Sequence, residues 1–192
     1  LSFSLNLSSN RYSRQKGWYL MAKYRYTLAL ITDGRQVLML NRFKSPYPGL
    51  WNGIGGKVEA GETPVAAATR EILEETTIAT ADYDISQLGL MDWYVDGTFR
   101  DGIYLFKAQL HEPIVKSRYP QWMREGILQP FSPEWLTRAD NTGVVADVQR
   151  LIPQMMDADA IYVHTDFVDE RLTDFTLLDP ASVARDNEGN LV

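Results

Sequence analysis

Three glutamates, Glu71, Glu74 and Glu75, fall within the five positions that follow Arg70 in the stretch REILEE. Residues three and four apart are neighbours on a helix surface, so Glu71 would face both of the others. Like charges at this spacing cost about 0.2–0.5 kcal/mol per pair, and Arg70 alone does not neutralise three carboxylates. A helix with such a cluster either leaves it in water or uses it to hold a hard cation such as Mg²⁺ or Mn²⁺, which prefers oxygen ligands.

The residues ahead of the cluster predict the helix that carries it. Thr63 is a candidate N-cap, and Pro64 suits the first helical position. Apolar and small residues recur at spacings of three and four, which predicts a core-facing stripe. The stripe consists of Val65, Ala68, Ile72 and Thr76. The glutamates lie beside it, so the helix would be anchored by its apolar face while its acids border open space.

Segments rich in β-forming residues surround this helix and predict a mixed sheet covered by helices, an α+β fold. The predicted strands are YRYTLALITDG, RQVLMLNR, KVEAGE, ISQLGLMDWYV, GIYLFKAQL, ILQPF, AIYVHTDF and RLTDFTLLD. SPEWLTR predicts a helix start, and VVADVQRLIPQMM predicts a helix disturbed at Pro153. The stretch FKSPYPGLWNGIGG is rich in Gly and Pro and predicts a loop.

The whole chain suits one compact domain. Its 192 residues, 45% of them hydrophobic, allow a sizeable core, and we expect the domain to span residues 21–180. Residues 1–20 show no strand or helix period, and we expect them to be a non-native or disordered extension; residues 181–192 form a polar tail. A net charge of −6 argues against broad contact with a nucleic-acid polymer, and no apolar run suits a membrane span. The absence of cysteine fits a reducing compartment, so we expect a cytoplasmic protein.

The segment from Gly56 to Ile78, GKVEAGETPVAAATREILEETTI, resembles the signature of the Nudix hydrolase family. That signature is Gly, five residues, Glu, seven residues, Arg-Glu, an aliphatic residue, any residue, Glu-Glu, any residue, Gly and an aliphatic residue. The positions that match in register are Gly56, Glu62, Arg70, Glu71, Ile72, Glu74, Glu75 and Ile78. Thr77 stands where the signature has its glycine, a position that holds no metal in the family.

This resemblance implies a Nudix α/β/α sandwich and a pyrophosphohydrolase that uses Mg²⁺, with Mn²⁺ as an alternative. Arg70 would orient the catalytic glutamates, and Glu62 would brace the loop against the helix. The implied metal ligands are the carboxylates of Glu71, Glu74, Glu75 and Glu125 and the carbonyl of Gly55.

The resemblance covers about residues 22–180 and is strongest to the MutT-like branch, which hydrolyses oxidised purine nucleoside triphosphates. By that likeness Thr27 and Asn52 would contact the base, and Arg42 would contact phosphate. The remaining implied substrate-binding residues are Ile54, Gly55, Gly56 and Lys57. Animal members read the base with an adjacent acidic pair near the later helix, where this chain has the single acid Asp140.

The expected reaction converts a small-molecule nucleoside triphosphate such as 8-oxo-dGTP into the monophosphate and pyrophosphate. Tyr94 lies where some dinucleoside-polyphosphate hydrolases of the family carry a tyrosine, which keeps another nucleoside diphosphate derivative as an alternative substrate. A ligand-sensing domain without catalysis is a further alternative, although such domains often lose the glutamates that are present here. The histidines His111 and His164 stand apart in the sequence and are not expected to bind metal. The oligomeric state stays open.

Overall fold

The protein is described by a computed structural model that covers residues 24–178. The predicted extension at residues 1–20 and the predicted tail at residues 181–192 lie outside the described residues. Within this range the strands form one mixed sheet. They are β1 (Tyr24–Thr32), β2 (Val37–Arg42), β3 (Trp51–Asn52), β4 (Tyr83–Val95), β5 (Thr98–Leu110), β6 (Gln121–Trp122), β7 (Gly126–Phe131), β8 (Ile161–Val168) and β9 (Arg171–Leu178).

The order of strands across the sheet is β6-β7-β2-β1-β5-β4-β8-β9, and β3 pairs with β2. β1 runs parallel to β5 and β4 runs parallel to β8, whereas the other neighbours are antiparallel. The predicted hairpins, β1–β2, β4–β5 and β8–β9, are all present.

Helices cover both faces of the sheet, as the α/β/α prediction required. The helices are α1 (Pro64–Thr76), α2 (Pro133–Leu136) and α3 (Ala146–Asp157). Ala68 and Ile72 of α1 pack into one apolar cluster with Ile31 and Leu40. Leu136 of α2 and four buried residues of α3 enter a second cluster, which holds Leu28 and Leu30 from alternate positions of β1. Side chains alternate between the faces of a strand, so β1 contributes to both layers.

Helix α1 begins as its sequence predicts, because the Oγ1 of Thr63 accepts a hydrogen bond from the backbone N of Ala66 at 3.2 Å. The predicted stripe is wrong at one position: Val65 is 44% exposed. The first turn of the helix projects into water and burial begins at Ala67, so the buried face runs along the rest of the helix to Thr76.

The end of α1 explains why the signature has a glycine where this chain has Thr77. Thr77 adopts the left-handed conformation, with φ of 60°, and its backbone N donates to the carbonyl of Leu73 at 2.9 Å. This is the usual end of a helix, and glycine is favoured there because it has no Cβ to clash in that conformation.

The structure corrects three predicted elements. The Gly- and Pro-rich segment holds the short strand β3, and Ile54 in it forms a bridge to Ala29. The predicted strand KVEAGE contributes only an isolated bridge between Lys57 and Tyr26. Helix α3 begins at Ala146 and continues through Pro153 to Asp157. No helix within residues 24–178 has the length and apolar character needed to cross a bilayer.

Candidate active site

The loop ahead of α1 fits closely against β1 and α1 at two of its glycines, and Gly55 is required because its neighbour is backbone. A Cβ on Gly55 would lie 2.1 Å from the carbonyl oxygen of Thr27. A Cβ on Gly56 would lie 2.3 Å from Oε1 of Glu71. The backbone N of Thr27 donates to the carbonyl of Gly56 at 2.8 Å, which fixes the loop on the edge of β1. The loop therefore holds its backbone directly beside the carboxylates of α1.

Glu75 lies at the centre of this arrangement and is only 2% exposed. Its Oε2 accepts a hydrogen bond from the backbone N of Gly55 at 3.0 Å, while its Oε1 is buried without a partner among the described residues. The pKa of Glu75 is raised to about 8, chiefly by burial. The charges of Glu71 and Glu125 also raise it, whereas the hydrogen bond from Gly55 N and the charge of Arg42 lower it. Burying a carboxylate oxygen without a hydrogen-bond partner costs free energy, and a bound cation would remove that cost.

Glu71 is the second carboxylate of the cluster. Its Oε1 accepts a hydrogen bond from Nη1 of Arg70 at 2.7 Å. Burial raises the pKa of Glu71, the contact with Arg70 lowers it, and the charges of Glu74 and Glu125 raise it again. The pKa of Glu71 therefore depends on its burial and on three nearby charged groups, Arg70, Glu74 and Glu125.

Arg70 joins the cluster to the loop that precedes the helix. Its Nε and Nη2 donate to the two oxygens of Glu62 at 2.8 and 3.0 Å, and Nη2 also donates to the carbonyl of Lys57 at 3.1 Å. The paired hydrogen bonds from Arg70 lower the pKa of Glu62 to about 2. A planar guanidinium held by two carboxylates fixes their positions, because the fork geometry allows little rotation.

Glu74 and Glu125 lie further out. Glu74 is 61% exposed, with Oε2 3.6 Å from Nη1 of Arg70. Glu125 is exposed and comes from the turn ahead of β7, so a long-range contact brings it near the helix. Within residues 24–178, no group of three or more acidic or histidine side chains lies in a preformed metal-binding arrangement. The donor types still fit a hard divalent cation, because they are carboxylate oxygens and one buried oxygen lacks a partner.

The predicted phosphate-binding residue Arg42 ends β2 on the side of the cluster. Its Nε is buried without a hydrogen-bond partner within the described range, and its charge lowers the pKa of Glu75. The loop ahead of α1, residues 53–63, is called the cradle loop below. Lys57 lies in the cradle loop and is exposed.

The predicted base-reading residues lie on two different strands. Thr27 is 4% exposed, and its Oγ1 lies 3.4 Å from both the N and the O of Gly56. Asn52 is half-buried, and its Oδ1 accepts a hydrogen bond from the backbone N of Gly53 at 3.0 Å. Ile54, a predicted substrate-binding residue, is fully buried in the core, and its N and O both pair with Ala29.

The sequence did not reveal that Asp147 is buried. Asp140, the single acid expected near the later helix, is exposed and paired with Arg138 at 2.9 and 2.7 Å. Asp147, in the first turn of α3, is buried, and burial raises its pKa to about 6 while a hydrogen bond from Val148 N lowers it. Acids are common near helix starts, so the position of Asp147 in the sequence does not indicate that it is buried.

Tyr94 and the two histidines have local partners. The ring of Tyr94 lies 4.5 Å from that of His164 and 5.4 Å from that of Phe99. The Nε2 of His164 lies 3.6 Å from Oδ2 of Asp174, and the Nε2 of His111 lies 3.4 Å from Oδ2 of Asp84. Tyr94 thus lies in an aromatic group on β4, β5 and β8.

Comparisons with known proteins agree with this geometry. A model of the NUDIX domain matches residues 23–149. An oxidized purine nucleoside triphosphate hydrolase from Danio rerio is 34% identical over 113 residues, which are 57% of this chain and 70% of that protein. The corresponding protein from Mus musculus is 31% identical over 114 residues, which are 57% of this chain and 71% of that protein.

A solved structure of a MutT protein from Bacillus halodurans superposes with a TM-score of 0.63 and 25% identity, covering 80% of this chain and 96% of that one. The match of the domain model, the signature on α1 and the shared fold all indicate the same family. The chain belongs to the Nudix hydrolase family.

Proposed function

We propose that this Nudix hydrolase is a metal-dependent pyrophosphohydrolase that converts nucleoside triphosphates into the monophosphate and pyrophosphate. Its preferred substrates would be oxidised purine nucleotides such as 8-oxo-dGTP. The observation that carries the proposal is the buried Oε1 of Glu75, which lies near two further acids and near Arg42. Among residues 24–178, neither this oxygen nor the Nε of Arg42 has a hydrogen-bond partner. One site then offers oxygen donors for a cation and a cationic donor for phosphate.

The residues that would hold Mg²⁺ are Glu71, Glu74, Glu75 and Glu125, together with the carbonyl of Gly55. A bound divalent cation would neutralise phosphate charge and lower the pKa of an attacking water. Mg²⁺ binds through one or two carboxylates and through substrate phosphates, so the exposed position of Glu74 is compatible with this role.

The side chains of the protein position the substrate around that centre. Arg70 holds Glu71 and Glu62 through charge-assisted hydrogen bonds, which keeps the oxygen donors in place. Arg42 would donate from its Nε, which has no partner within the described residues, to the phosphate chain as negative charge develops on the leaving oxygen. The exposed Lys57 of the cradle loop would add a second positive charge.

The choice of an oxidised purine follows from similarity and from Asn52. The proteins from Danio rerio and Mus musculus, 34% and 31% identical, are named for that activity. The amide of Asn52 offers a donor and an acceptor, which suits the edge of a purine, and Thr27 adds a hydroxyl beside Gly56.

A substrate panel tests the proposal. With Mg²⁺ present, kcat/KM is measured for 8-oxo-dGTP, dGTP, ATP, diadenosine tetraphosphate and ADP-ribose, and the products are identified. We expect monophosphate and pyrophosphate from the triphosphates, with 8-oxo-dGTP preferred over dGTP. An 8-oxo-dGTP to dGTP ratio near one would reject the oxidised-purine role. A ligand-sensing domain would release no pyrophosphate from any of them.

A further inference from the structure

Two exposed aromatic side chains lie at one edge of the sheet and take no part in the chemistry above. The rings of Phe43, directly after β2, and Trp122 of β6 have centroids 5.8 Å apart and planes inclined by 32°. Phe43 is 46% exposed and Trp122 is 74% exposed. Tryptophan is largely buried in most proteins, so two exposed aromatic rings in contact mark a surface suited to a binding partner. Phe43 and Trp122 are called the aromatic pair below.

The strand that carries Trp122 has an open side. Within residues 24–178, β6 is the outermost strand of the sheet and pairs only with β7. The backbone N of Met123 donates to the carbonyl of Gly126 at 2.9 Å, which is a hydrogen-bonded pair of this antiparallel ladder. Such pairs alternate with pairs that exchange no hydrogen bond, so Trp122 and the opposite residue, Ile127, form one of the latter. The N–H and C=O of Trp122 therefore point away from β7, toward the open side.

Positive charge borders the aromatic pair, although the protein has a net charge of −6. The two segments that carry the pair, residues 42–50 and 115–124, contain five Lys or Arg residues and no Asp or Glu. Four of these cations are exposed and take part in no ion pair within the described range. They are Lys44, Lys116, Arg118 and Arg124. An anionic partner would therefore meet unpaired cations beside the aromatic rings.

The open edge of β6 distinguishes among the anionic partners that could bind here. An extended peptide adds to an open strand through its own N–H and C=O groups, and its side chains then contact the neighbouring surface. A nucleic-acid strand has no such groups to continue the ladder. A second copy related by a two-fold axis would bring the same positive charges face to face, which disfavours it. The observations therefore favour an acidic peptide segment.

We propose that the edge of β6 binds an extended acidic segment of a partner protein as an added strand. The peptide backbone would exchange hydrogen bonds with the N–H and C=O of Trp122, and an apolar side chain opposite Trp122 would pack on the aromatic pair. Glu or Asp residues on either side would face Lys44 and Arg124. Because none of these residues belongs to the proposed active site, the inference is independent of the proposed function.

Isothermal titration calorimetry on the full chain tests the inference with the peptide Glu-Glu-Val-Phe-Val-Glu-Glu, blocked at both ends. We expect a Kd between about 1 μM and 1 mM that weakens as the salt concentration rises. The lysine counterpart, Lys-Lys-Val-Phe-Val-Lys-Lys, should bind at least about 10-fold more weakly. N-methylation of the central Phe removes the N–H that would donate to the carbonyl of Trp122 without changing any charge. It should weaken binding by about 10-fold or more.

Variants of the protein test the same contacts from the other side. Trp122→Ala should weaken binding of the acidic peptide by about 10-fold or more, whereas Trp122→Phe keeps an aromatic ring and should lose less. The double variant Lys44→Glu, Arg124→Glu should weaken the acidic peptide and strengthen the lysine peptide. Arg35→Glu is the matched control, because it changes an exposed arginine in the β1–β2 turn, at the opposite end of β2. It should leave both affinities within about 2-fold of the wild type.

Absence of binding of the acidic peptide to the wild type overturns the inference. Equal binding of the N-methylated peptide also overturns it, because that result indicates charge attraction without an added strand. Binding of oligo(dT) that is lost in Trp122→Ala, without binding of the acidic peptide, would assign the surface to a single-stranded nucleic acid. A change of oligomeric state in Trp122→Ala on size-exclusion chromatography would assign it to a contact between copies. Either of these results overturns the inference.

Discussion

One oxygen of the Glu75 carboxyl group accepts a hydrogen bond from the backbone N of Gly55. The other oxygen is buried without a partner among the described residues. In the absence of a cation, burial and the charges of Glu71 and Glu125 disfavour the ionised form, so at neutral pH this carboxyl must take up a proton on folding, which opposes folding. Under the proposed function, a bound cation would remove this cost.

Glu75→Gln should lower kcat by about 100-fold or more, because it removes a charged donor to the cation that the reaction needs. In the presence of a chelator its free energy of unfolding should equal or exceed that of the wild type, because the buried charge is gone. Glu74→Gln should also lower kcat strongly. Steady-state kinetics and urea unfolding measure both properties.

The control is Glu112→Gln, which changes an exposed acid outside the cluster and should alter neither property. Wild-type turnover in both Glu74→Gln and Glu75→Gln would refute the proposed metal ligands.

Asn52→Ala should lower kcat/KM for the preferred purine triphosphate by about 1–3 kcal/mol, because polar groups of the base lose their partner. Discrimination between 8-oxo-dGTP and dGTP should fall with it, while the dependence on Mg²⁺ stays. Asn52→Asp keeps the acceptor for Gly53 N but loses the amide donor, so it separates loop geometry from base recognition. An unchanged 8-oxo-dGTP to dGTP ratio in Asn52→Ala would exclude Asn52 as a base reader.

At the scale of the elements, α1 is held at its start by Thr63 and strained at its end by Thr77. A β-branched residue at φ of 60° places its Cβ close to the following carbonyl. The strain lies two residues after Glu75, at an exposed position, so it can be relieved without changing the glutamates themselves.

Thr77→Gly should raise the free energy of unfolding by about 1 kcal/mol, because glycine adopts the left-handed conformation without a steric cost. Thr77→Ala keeps the Cβ and should give a smaller gain. Urea unfolding at constant pH provides the comparison. A glycine variant less stable than the wild type would show that the Thr77 side chain stabilises the helix end.

Helix α3 contains a buried acid that should make stability depend on pH. Burial raises the pKa of Asp147 to about 6 in the folded protein, whereas its ordinary value is 3.8. Between about pH 4 and pH 6 the folded protein keeps a proton that the unfolded chain has released. This raised pKa therefore favours the folded state at low pH, and that contribution is lost as the pH rises through this window.

Asp147→Asn should remove this dependence. At pH 7 the variant should be more stable than the wild type by on the order of 1–3 kcal/mol, and at pH 4 the two should be nearly equal. Asn at this position keeps an acceptor for Val148 N. Asp159→Asn, an exposed change just beyond the helix, serves as the control. A difference that does not vary between pH 4 and pH 7 would contradict the assigned pKa.

At the scale of the whole molecule, the site joins residues from β1, β2, the cradle loop, α1 and the turn before β7. A ligand that binds only when these segments are assembled stabilises the folded state by mass action. Mg²⁺ at 100 times its Kd should therefore stabilise the wild type by about 2.7 kcal/mol, a rise in Tm on the order of 5–10 °C.

Thermal melting with Mg²⁺ and with a chelator measures this effect without any need for turnover. Glu75→Gln should lose most of the rise in Tm, whereas Glu112→Gln should keep it. Equal Tm values for the wild type under the two conditions would show that the cluster does not bind Mg²⁺ in the absence of substrate.

The sequence by itself determined the parts of the protein that depend on near neighbours. The cap at Thr63, the spacing of the glutamates on α1 and the hairpins follow from contacts within a few residues, where helix and strand periods act directly. The family signature extended the prediction from these local features to the fold, because its fixed spacings describe one loop and one helix.

Only the tertiary structure decided which atoms those residues expose. It placed Val65 in water and Asp147 in the core, left one oxygen of Glu75 without a partner in the described part of the chain, and brought Phe43 against Trp122. Each of these facts depends on segments far apart in the chain, and above all on the strand order that places β7 beside β2. Burial and long-range contact are properties of the packed sheet, and no local period encodes them.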